Sequence, residues 1–401
     1  MTQAIDAIAP ARPSHMRIVG AVSAAHFVSH YYILLLAPLM PFVREEYGVS
    51  YTEIGLAFAA FNIVSALLQT PAGFLVDRLG ARTLLIAGIL IGAVAFAVTG
   101  FVHSFWVLVA MFGLAGIGNT VYHPADYALL SHHVPSERIG QAFSVHTFAG
   151  MLGSAVTPPA VLAMQAMWGW RGAMIGSAVL GLAAAAVLML TTEPEAARPV
   201  RHKSDADRTD WQVLLSAPVL LNLGFFVLLA MISSGLYNYS VVAFGALFAT
   251  PVETANAALT GNLLLTAIGV LAGGLLVGRT RRHGLVASIG LAVSAAFTLL
   301  FAEVDLGTIA LIAAMSAAGF ASGIIMPSRD MIVRAVTPAG SFGKVFGFVT
   351  TGFNIGGIVA PLIFGAIMDH GSPRLVFLTV AALTLAAILT VATRPGRPAA
   401  E

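Results

Sequence analysis

The sequence predicts an all-α membrane protein of twelve transmembrane helices, arranged as two six-helix bundles related by pseudo-two-fold symmetry. The first observation is compositional: 9% of the residues are charged and 58% are hydrophobic, whereas soluble domains carry roughly 25% charged residues. The second is that apolar runs recur along nearly the whole chain, each with the roughly 20 residues that a helix needs to cross a bilayer. The third is an internal duplication. Together they exclude a water-soluble globular protein.

Apolar runs between polar breaks predict the individual helices. In order, the helices lie near residues 18–42, 52–76, 83–101, 105–131, 139–165, 171–191, 213–248, 254–278, 285–303, 307–335, 342–368 and 373–393. Ser50 and Glu53 predict a capping box at the start of the second helix. Thr250 and Glu253 predict another at the start of the eighth helix, with Pro251 in its first turn.

The chain divides at its longest hydrophilic break, residues 191–210. We predict an N-terminal six-helix bundle in residues 1–191, a cytoplasmic linker in 192–212 and a C-terminal six-helix bundle in 213–401. Because each block holds an even number of helices, both bundles have the same orientation, as in parallel repeats. Seven pairs of like residues at a constant offset of 203 positions show the duplication: Pro124 with Pro327, Pro135 with Pro338, Gly140 with Gly343, Phe143 with Phe346, Thr147 with Thr350, Gly153 with Gly356 and Pro158 with Pro361.

Basic residues set the predicted orientation. With the N-terminus inside, sixteen of the 20 Lys and Arg residues fall in cytoplasmic segments, whereas Arg44, Arg171 and Arg374 fall in outer loops and Arg329 falls within a helix. This asymmetry follows the positive-inside rule and places both termini in the cytoplasm. The N-terminal segment lacks the pattern of a removable signal peptide, and the absence of cysteine excludes disulfides and thiolate metal sites.

A recognisable motif lies between the second and third helices. The segment GFLVDRLGARTLL, residues 73–85, fits the pattern G-x-L-x-D-R-x-G-x-K/R, and GGLLVGRTRR, residues 273–282, is a degraded copy in the second half. With twelve helices and a duplication, the whole chain resembles the major facilitator superfamily of transporters. The resemblance implies that Asp77 contacts the start of the eleventh helix and locks one conformation. It implies a gating motif formed by Gly73, Asp77, Arg78, Gly80 and Arg82.

A narrower resemblance covers about forty residues. GIGNTVYHPADYALLS, followed by GQAFSVHTFAGMLGSAVTPP, is similar to the region of helices 4 and 5 in fosmidomycin-resistance-type exporters. Drug–proton antiporters of the superfamily often carry an arginine early in helix 4, and WVLVAMFGL at that place has none. The narrower resemblance favours export, and import stays open.

Polar residues inside the predicted helices are candidates for the functional site. A charged group at the centre of a membrane helix costs roughly 2.5–3.5 kcal/mol, so such groups face the interior of the bundle. The resemblance implies that helices 1, 4, 7 and 10 line a central cavity, and most of these residues fall on them. The predicted solute- and proton-binding residues are His26, His30, Asn119, Tyr122, His123, Asp126, His146, Tyr237, Asn238, Arg329 and Asp330.

The HPAD segment in helix 4 is the predicted proton site. Pro124 frees the carbonyl of Thr120 from its helical hydrogen bond, which admits polar groups to the middle of the helix. His123 and Asp126 are three residues apart and lie on nearly one face, so we predict that they exchange a proton during transport. The alternative is a kink whose polar groups satisfy each other, with the proton site at His26 and His30.

Arg329 is the predicted partner of an anionic or zwitterionic solute, because its planar donor fork suits carboxylate and phosphonate groups. Two other roles stay open. Arg329 can pair with Asp330 beside it, and it can pair as a gate with Asp126, to which it corresponds at the repeat offset.

The expected function is alternating-access transport of a small organic solute, coupled to protons and without a cofactor. No G-x-x-x-x-G-K-[ST] motif occurs, so an ion gradient is the expected energy source, and histidine, which titrates near pH 6.5, favours protons over sodium. The alternatives are an uptake symporter for an organic acid, a channel or receptor, and a metalloenzyme with His26, His30, His123 and Asp126 as ligands. We expect a monomer in the bacterial inner membrane, with solute, protons and lipid as partners and no nucleic acid.

The predicted topology can be tested by labelling, because the natural chain has no cysteine. Single cysteines placed in the linker, residues 192–212, should react with an impermeant maleimide only after the cells are opened. A matched cysteine in the first outer loop should react in intact cells. A linker cysteine that reacts in intact cells would contradict both the orientation and the division into two parallel halves.

Overall fold

In the computed structural model the described residues are 15–135, 138–190, 211–277, 279–337 and 342–392. All regular secondary structure in these residues is helical. The helices of the first half are α1 (His15–Tyr47), α2 (Tyr51–Leu79), α3 (Ala81–Phe101), α4 (Phe105–His133) and the segment Ile139–Leu190, which contains α5 and α6. Those of the second half are α7 (Ala217–Phe248), α8 (Val252–Val277), α9 (His283–Glu303), α10 (Gly307–Ala335), α11 (Phe342–Asp369) and α12 (Arg374–Ala392).

One glycine separates α5 from α6. The segment Ile139–Leu190 is helical except at Gly169, whose φ of 71° and ψ of 170° suit glycine but strain other residues. Gly169 divides the segment into α5 (139–168) and α6 (170–190). With this division, the eleven long apolar segments among the described residues make twelve membrane-crossing helices, and the predicted twelve-helix fold is confirmed.

The break predicted in α4 is present. The helix consists of Phe105–Asn119 and Tyr122–His133, and the interruption lies one turn before Pro124. Because proline has no amide hydrogen, the carbonyl of Thr120 loses its helical donor at this point. Polar side chains can therefore be accommodated in the middle of α4.

The seventh helix differs from its predicted extent. Residues Trp211–Leu214 form a separate short helix, and α7 itself begins at Ala217 with Pro218 in its first turn, where a missing amide hydrogen costs nothing. Within the membrane, α7 contains a π-helical turn, Gly235–Tyr239. Turns of this kind often mark functional sites in helices.

Only one of the two predicted capping boxes forms. The Ser50 hydroxyl accepts the N–H of Glu53 at 3.1 Å, and the Glu53 carboxylate accepts the N–H of Ser50 at 2.7 Å. The box predicted for α8 is wrong: the helix begins at Val252, so Thr250 lies one residue too early to cap it. The hydrogen bonds of the described residues include none between Thr250 and Glu253.

A carboxylate from the second half completes the capping of α2. The first N–H groups of any α-helix have no partner within the helix. Here Asp369, at the end of α11, accepts the N–H of Tyr51 at 2.7 Å and the N–H of Thr52 at 2.8 Å. It also accepts the hydroxyl of Thr52 at 2.5 Å. We call these three bonds the Asp369 latch, because they join the two halves of the chain.

Close backbone packing extends the contact between α2 and α11 along the membrane. A Cβ atom at Gly55 would lie 2.8 Å from the carbonyl oxygen of Pro361, and one at Gly365 would lie 2.7 Å from Thr52. Both distances are shorter than a side chain tolerates, so the two helices can approach this closely only with glycine. The Tyr239 hydroxyl donates to the same Pro361 carbonyl at 2.6 Å, which brings α7 into the contact.

The halves meet along two seams. One is α2 against α11, and the other is α8 against the α5–α6 segment. Within the halves, the main packing partners include α2 with α4, α8 with α10 and α9 with α12. The predicted linker, residues 192–212, lies outside the described residues except for its last two, so the predicted domain boundaries stay predictions.

We expect Asp369→Asn to loosen the α2–α11 seam, since it removes the negative charge and one acceptor oxygen at the α2 N-terminus. Asn62 of α2 lies against Gly357 of α11, so a cysteine at position 62 reports the opening of this seam. Its reaction with a hydrophilic maleimide should accelerate roughly 5- to 30-fold if the latch contributes 1–2 kcal/mol.

The matched control is Asp305→Asn. Asp305 also caps a backbone N–H, that of Gly307 at 3.1 Å, but this bond lies within the second half. Its substitution should leave the labelling rate unchanged. Equal rates in wild type and Asp369→Asn would show that the latch does not hold the seam together.

Candidate functional site

The first half contains a cluster of imidazoles at the contact of α1 with α5. His26 and His30 lie one turn apart on α1 with ring centroids separated by 4.7 Å. They fit against α5 because of Gly150, where a Cβ atom would lie 2.6 Å from His26 and 3.0 Å from His30. The Nδ1 atom of His30 lies 3.2 Å from the Ser154 hydroxyl. The predicted shared face of His26 and His30 is thus directed at α5.

Asp126 of α4 completes this cluster. Its carboxylate lies 3.4 Å from Nδ1 of His26 and 3.7 Å from Nε2 of His146 on α5. The rings of His26 and His146 stack with centroids 3.8 Å apart. Asp126 has no exposed surface, and both histidines are buried. Three helices therefore bring one carboxylate and two imidazoles together in the interior of the first half.

The polar atoms of this cluster are not otherwise satisfied. Both carboxylate oxygens of Asp126, Nδ1 of His26 and both ring nitrogens of His146 lack a hydrogen-bond partner in the described part of the chain. Burying such groups unpaired costs about 1–3 kcal/mol each, and more when they are charged. The cluster is stable only when charge and protons are shared among its members.

The predicted pairing of His123 with Asp126 is not what the structure shows. No ring nitrogen of His123 lies within 4.0 Å of Asp126, and its ring contacts His26 instead, with centroids 5.4 Å apart. Residues three apart on a helix differ in direction by about 60°, which here separates the interior from an exposed face. His123 is exposed. It therefore belongs to the exposed face of α4, the helix that the resemblance predicts to line the central cavity.

The cluster is wider than a formed metal site. One donor atom from each of His26, Asp126 and His146 lies within 4.8 Å of the others. Tetrahedral zinc with bonds of 2.0–2.1 Å places its ligand atoms about 3.3 Å apart. The residue types suit a transition metal, and closure around one ion would need the donor atoms that are farthest apart to approach one another.

In the second half, the arginine predicted to lie within the membrane is Arg329 on α10. It pairs with Asp330 beside it, Nε at 2.9 Å and Nη2 at 2.8 Å from the same carboxylate oxygen. Its guanidinium lies over the rings of Phe226 on α7, at 5.0 Å, and Phe353 on α11, at 5.6 Å. Of the roles left open by the sequence, the structure shows the pair with Asp330. Arg329 and Asp126 do not pair in this conformation.

Each half places an exposed polar residue beside its charged group. Tyr127 of α4 is 48% exposed and contacts the ring of His146 at a centroid distance of 6.0 Å. Asp330 of α10, whose side chain is 46% exposed, lies near enough to Tyr127 to act on it electrostatically. Exposed polar residues of α4 and α10, two of the helices that the resemblance predicts to line the central cavity, therefore lie near each other.

The remaining polar candidates have mainly structural partners. Asn119 donates to Ser65 of α2 at 3.3 Å, and Asn238 donates to Ser234 one turn earlier at 3.2 Å. Tyr122 is buried, and its hydroxyl has no hydrogen-bond partner among the described residues. Tyr237 lies half-buried in the π-helical turn of α7.

The predicted gating motif lies at the junction of α2 and α3. Gly80 has a φ of 90°, which explains the glycine at this turn, and Gly73 and Arg78 lie in the last turns of α2. Arg82 donates to the carbonyl oxygens of Leu188 at 3.1 Å and Met189 at 2.5 Å. Arg82 thus caps the C-terminus of α6 in its own half. The side chain of Asp77 lies outside the described residues, so its contact with α11 stays a prediction.

The comparison with known families now decides the identity of the fold. A family model described as Major Facilitator Superfamily matches residues 22–252 and residues 223–401. The chain belongs to the major facilitator superfamily. Members of this superfamily are transporters and not enzymes, so the metalloenzyme alternative is excluded and the His–Asp cluster belongs to a multi-pass membrane transporter.

Individual relatives agree with this membership. A probable sulfoacetate transporter of Cupriavidus necator is 28% identical, over 92% of this chain and 91% of that protein. The fosmidomycin resistance protein of Escherichia coli is 27% identical, over 93% of this chain and 92% of that protein, which confirms the narrower resemblance. Among solved structures, a bacterial homolog of the human lysosomal transporter Spinster, in an inward-facing and occupied conformation, superposes with a TM-score of 0.80 at 13% identity. It covers 95% of this chain and 97% of its own chain, which supports the fold.

Proposed function

We propose that this major facilitator exchanges protons for a small organic anion or zwitterion by alternating access, with Asp126, His26 and His146 as its proton site. The observation that carries the proposal is the burial of Asp126, whose charge partners among the described residues are two imidazoles. In such a place a lone carboxylate or a lone imidazolium is expensive. Gain or loss of one proton therefore changes the energy of the whole cluster.

The cluster can bind a proton without an isolated charge. When Asp126 is ionised, one added proton on His26 or His146 forms an ion pair with it, and release of that proton leaves an uncompensated carboxylate. A conformation that lets water reach Asp126 stabilises the released state, whereas the buried arrangement stabilises the bound state. Because the two states have different affinities for the proton, a proton gradient can drive the conformational change.

Arg329 is the proposed anion-binding residue. Asp330 occupies one edge of its guanidinium, while Phe226 and Phe353 hold the plane in position. The partly exposed carboxylate of Asp330 offers a site for an ammonium group, so a zwitterion can be bound at both ends. A relative named as a probable L-galactonate transporter, 34% identical over 35% of this chain, and the probable sulfoacetate transporter both act on organic anions by their names, which supports this class of solute.

Export is the favoured direction, by similarity to the fosmidomycin resistance protein. The alternative is proton-coupled uptake of an organic acid, which the similarity to the probable sulfoacetate transporter favours. The proposed location is the bacterial inner membrane, with the protein acting as a monomer and both termini in the cytoplasm. In that orientation the Asp369 latch closes the outer end of the cavity. Solute flux measured with imposed pH gradients of either sign decides between export and uptake.

Asp126→Asn should abolish proton-driven accumulation, because the amide cannot bind or release the coupled proton. Solute exchange across proteoliposomes without a pH gradient should survive, since exchange needs no net proton movement. The measurement is solute flux in purified, reconstituted protein with and without an imposed pH gradient. Glu303→Gln, which removes a carboxylate from the exposed pair with Arg374, is the control and should retain driven transport. If Asp126→Asn still accumulates solute against its gradient, the proton site lies elsewhere.

Arg329→Lys should weaken solute binding while leaving the charge of the site unchanged. The ammonium cannot present the planar fork or lie between two aromatic rings, so KM for an organic acid should rise about tenfold, equivalent to about 1.4 kcal/mol. Arg334→Lys, on an exposed face of the same helix, is the matched control. Unchanged KM for Arg329→Lys would show that the solute is bound without its guanidinium.

A further inference from the structure

His26 is the centre of the imidazole cluster. Its ring lies 3.8 Å from that of His146, 4.7 Å from His30 and 5.4 Å from His123, measured between centroids. It also supplies the nitrogen nearest to Asp126. Four groups that can bind a proton therefore surround His26, and they lie on three different helices. They are His30, His123, His146 and Asp126.

The members of the cluster differ sharply in their access to water. His26, His146 and Asp126 are 4%, 1% and 0% exposed, so no water reaches them directly in this conformation. His123 is exposed and lies next to the exposed Tyr127, whose ring is stacked on that of His123 at a centroid distance of 6.2 Å. Of the four histidines, His123 is the exposed one, and its ring contacts that of His26.

We infer that His123 relays protons between the cavity water and the buried cluster of His26, Asp126 and His146. The inference rests on the proposed function and adds a route to its proton site. A proton from water binds one ring nitrogen of His123, and the proton on the other ring nitrogen passes to His26, directly or through one water. Rotation of the ring then restores the first tautomer. No charge or proton is created in this cycle, and imidazole is suited to it because it has two titratable nitrogens.

His30 is the competing entry point, and its contacts argue against it. Its Nδ1 atom is engaged with Ser154, and its side chain is only partly exposed. His30 also lies one helical turn from His26 toward the end of α1 that is joined to α2, the end closed by the Asp369 latch. His123 approaches His26 from α4, beside the break that Pro124 produces.

Several other titratable groups lie beside His123 and the buried cluster, and they must be left unsubstituted when His123 is replaced. From α1 these are His26, His30 and Tyr32; from α4 they are Tyr122, Asp126 and Tyr127; from α5 it is His146; and from α10 it is Asp330.

The test measures proton uptake directly. Purified full-length protein is subjected to a rapid drop in pH, and a pH-indicator dye reports the amount and the rate of proton binding. His123→Gln should take up protons at least about tenfold more slowly than wild type, the scale of a lost acid–base group, and should bind fewer protons by no more than the one that His123 itself binds. Added imidazole should restore the rate, because it can enter the cavity and replace the missing ring.

Three controls separate the outcomes. Asp126→Asn should bind fewer protons than wild type, and added imidazole should not restore the missing protons. His132→Gln, at an exposed position near the end of the same helix, should match wild type. His123→Gln should also elute as a single species and unfold at the same temperature as wild type, which excludes a folding defect.

Each result has one meaning. If Asp126→Asn binds as many protons as wild type, the proposed proton site is wrong and the relay to it is overturned as well. If Asp126→Asn loses protons while His123→Gln keeps the wild-type rate, the relay alone is overturned. A slow His123→Gln that imidazole does not accelerate shows a structural role for His123 and also overturns the relay.

Discussion

A carboxylate buried in hydrocarbon cannot hold its charge alone, and this constraint on Asp126 shapes the first half of the protein. The break before Pro124 admits a polar residue into α4, and Gly150 removes the side chain that would keep α5 away from His26 and His30. His146 supplies the second imidazole from α5. Each of these features would be a defect in an ordinary membrane helix. Together they place enough partial donors around one carboxylate for it to remain in the interior.

In the second half, the partly buried charge belongs to Arg329, and different residues stabilise it. Arg329 keeps its charge permanently, so it needs a fixed partner, and Asp330 provides one. The flanking rings of Phe226 and Phe353 leave the guanidinium partly accessible and hold its plane. One half therefore contains groups whose charge changes with protonation, and the other contains a charge that does not change. In the proposed function, proton and solute bind to separate groups, so each can be bound without displacing the other.

Most short-range sequence patterns predicted the structure correctly, although the capping box from Thr250 and Glu253 did not form, and patterns that depend on packing between helices predicted it poorly. Apolar length, the Ser50–Glu53 box and the effect of Pro124 are local, so twelve helices and the break in α4 could be derived. The partner of Asp126 depends on how α1, α4 and α5 approach one another, and spacing along one helix pointed to His123 instead of His26 and His146. Phe226 and Phe353 gave no signal because aromatic residues are common in membrane helices. Asp369 lies outside the apolar core, yet its position at the end of α11 could have drawn attention as an anion beside a helix start.

The duplication makes the two seams between the halves equivalent by descent, but the Asp369 latch has made them unequal. At the repeat offset of 203 positions, the residue that corresponds to Asp369 is Ala166 on α5, which has no group that could cap α8. The α2–α11 edge is thus held by hydrogen bonds to a charged group, whereas the α8 edge lacks this carboxylate. Hydrogen bonds break over a short distance, whereas packed apolar surfaces can slide. The symmetry of the duplication therefore survives in the fold, but the two edges are not expected to separate equally easily.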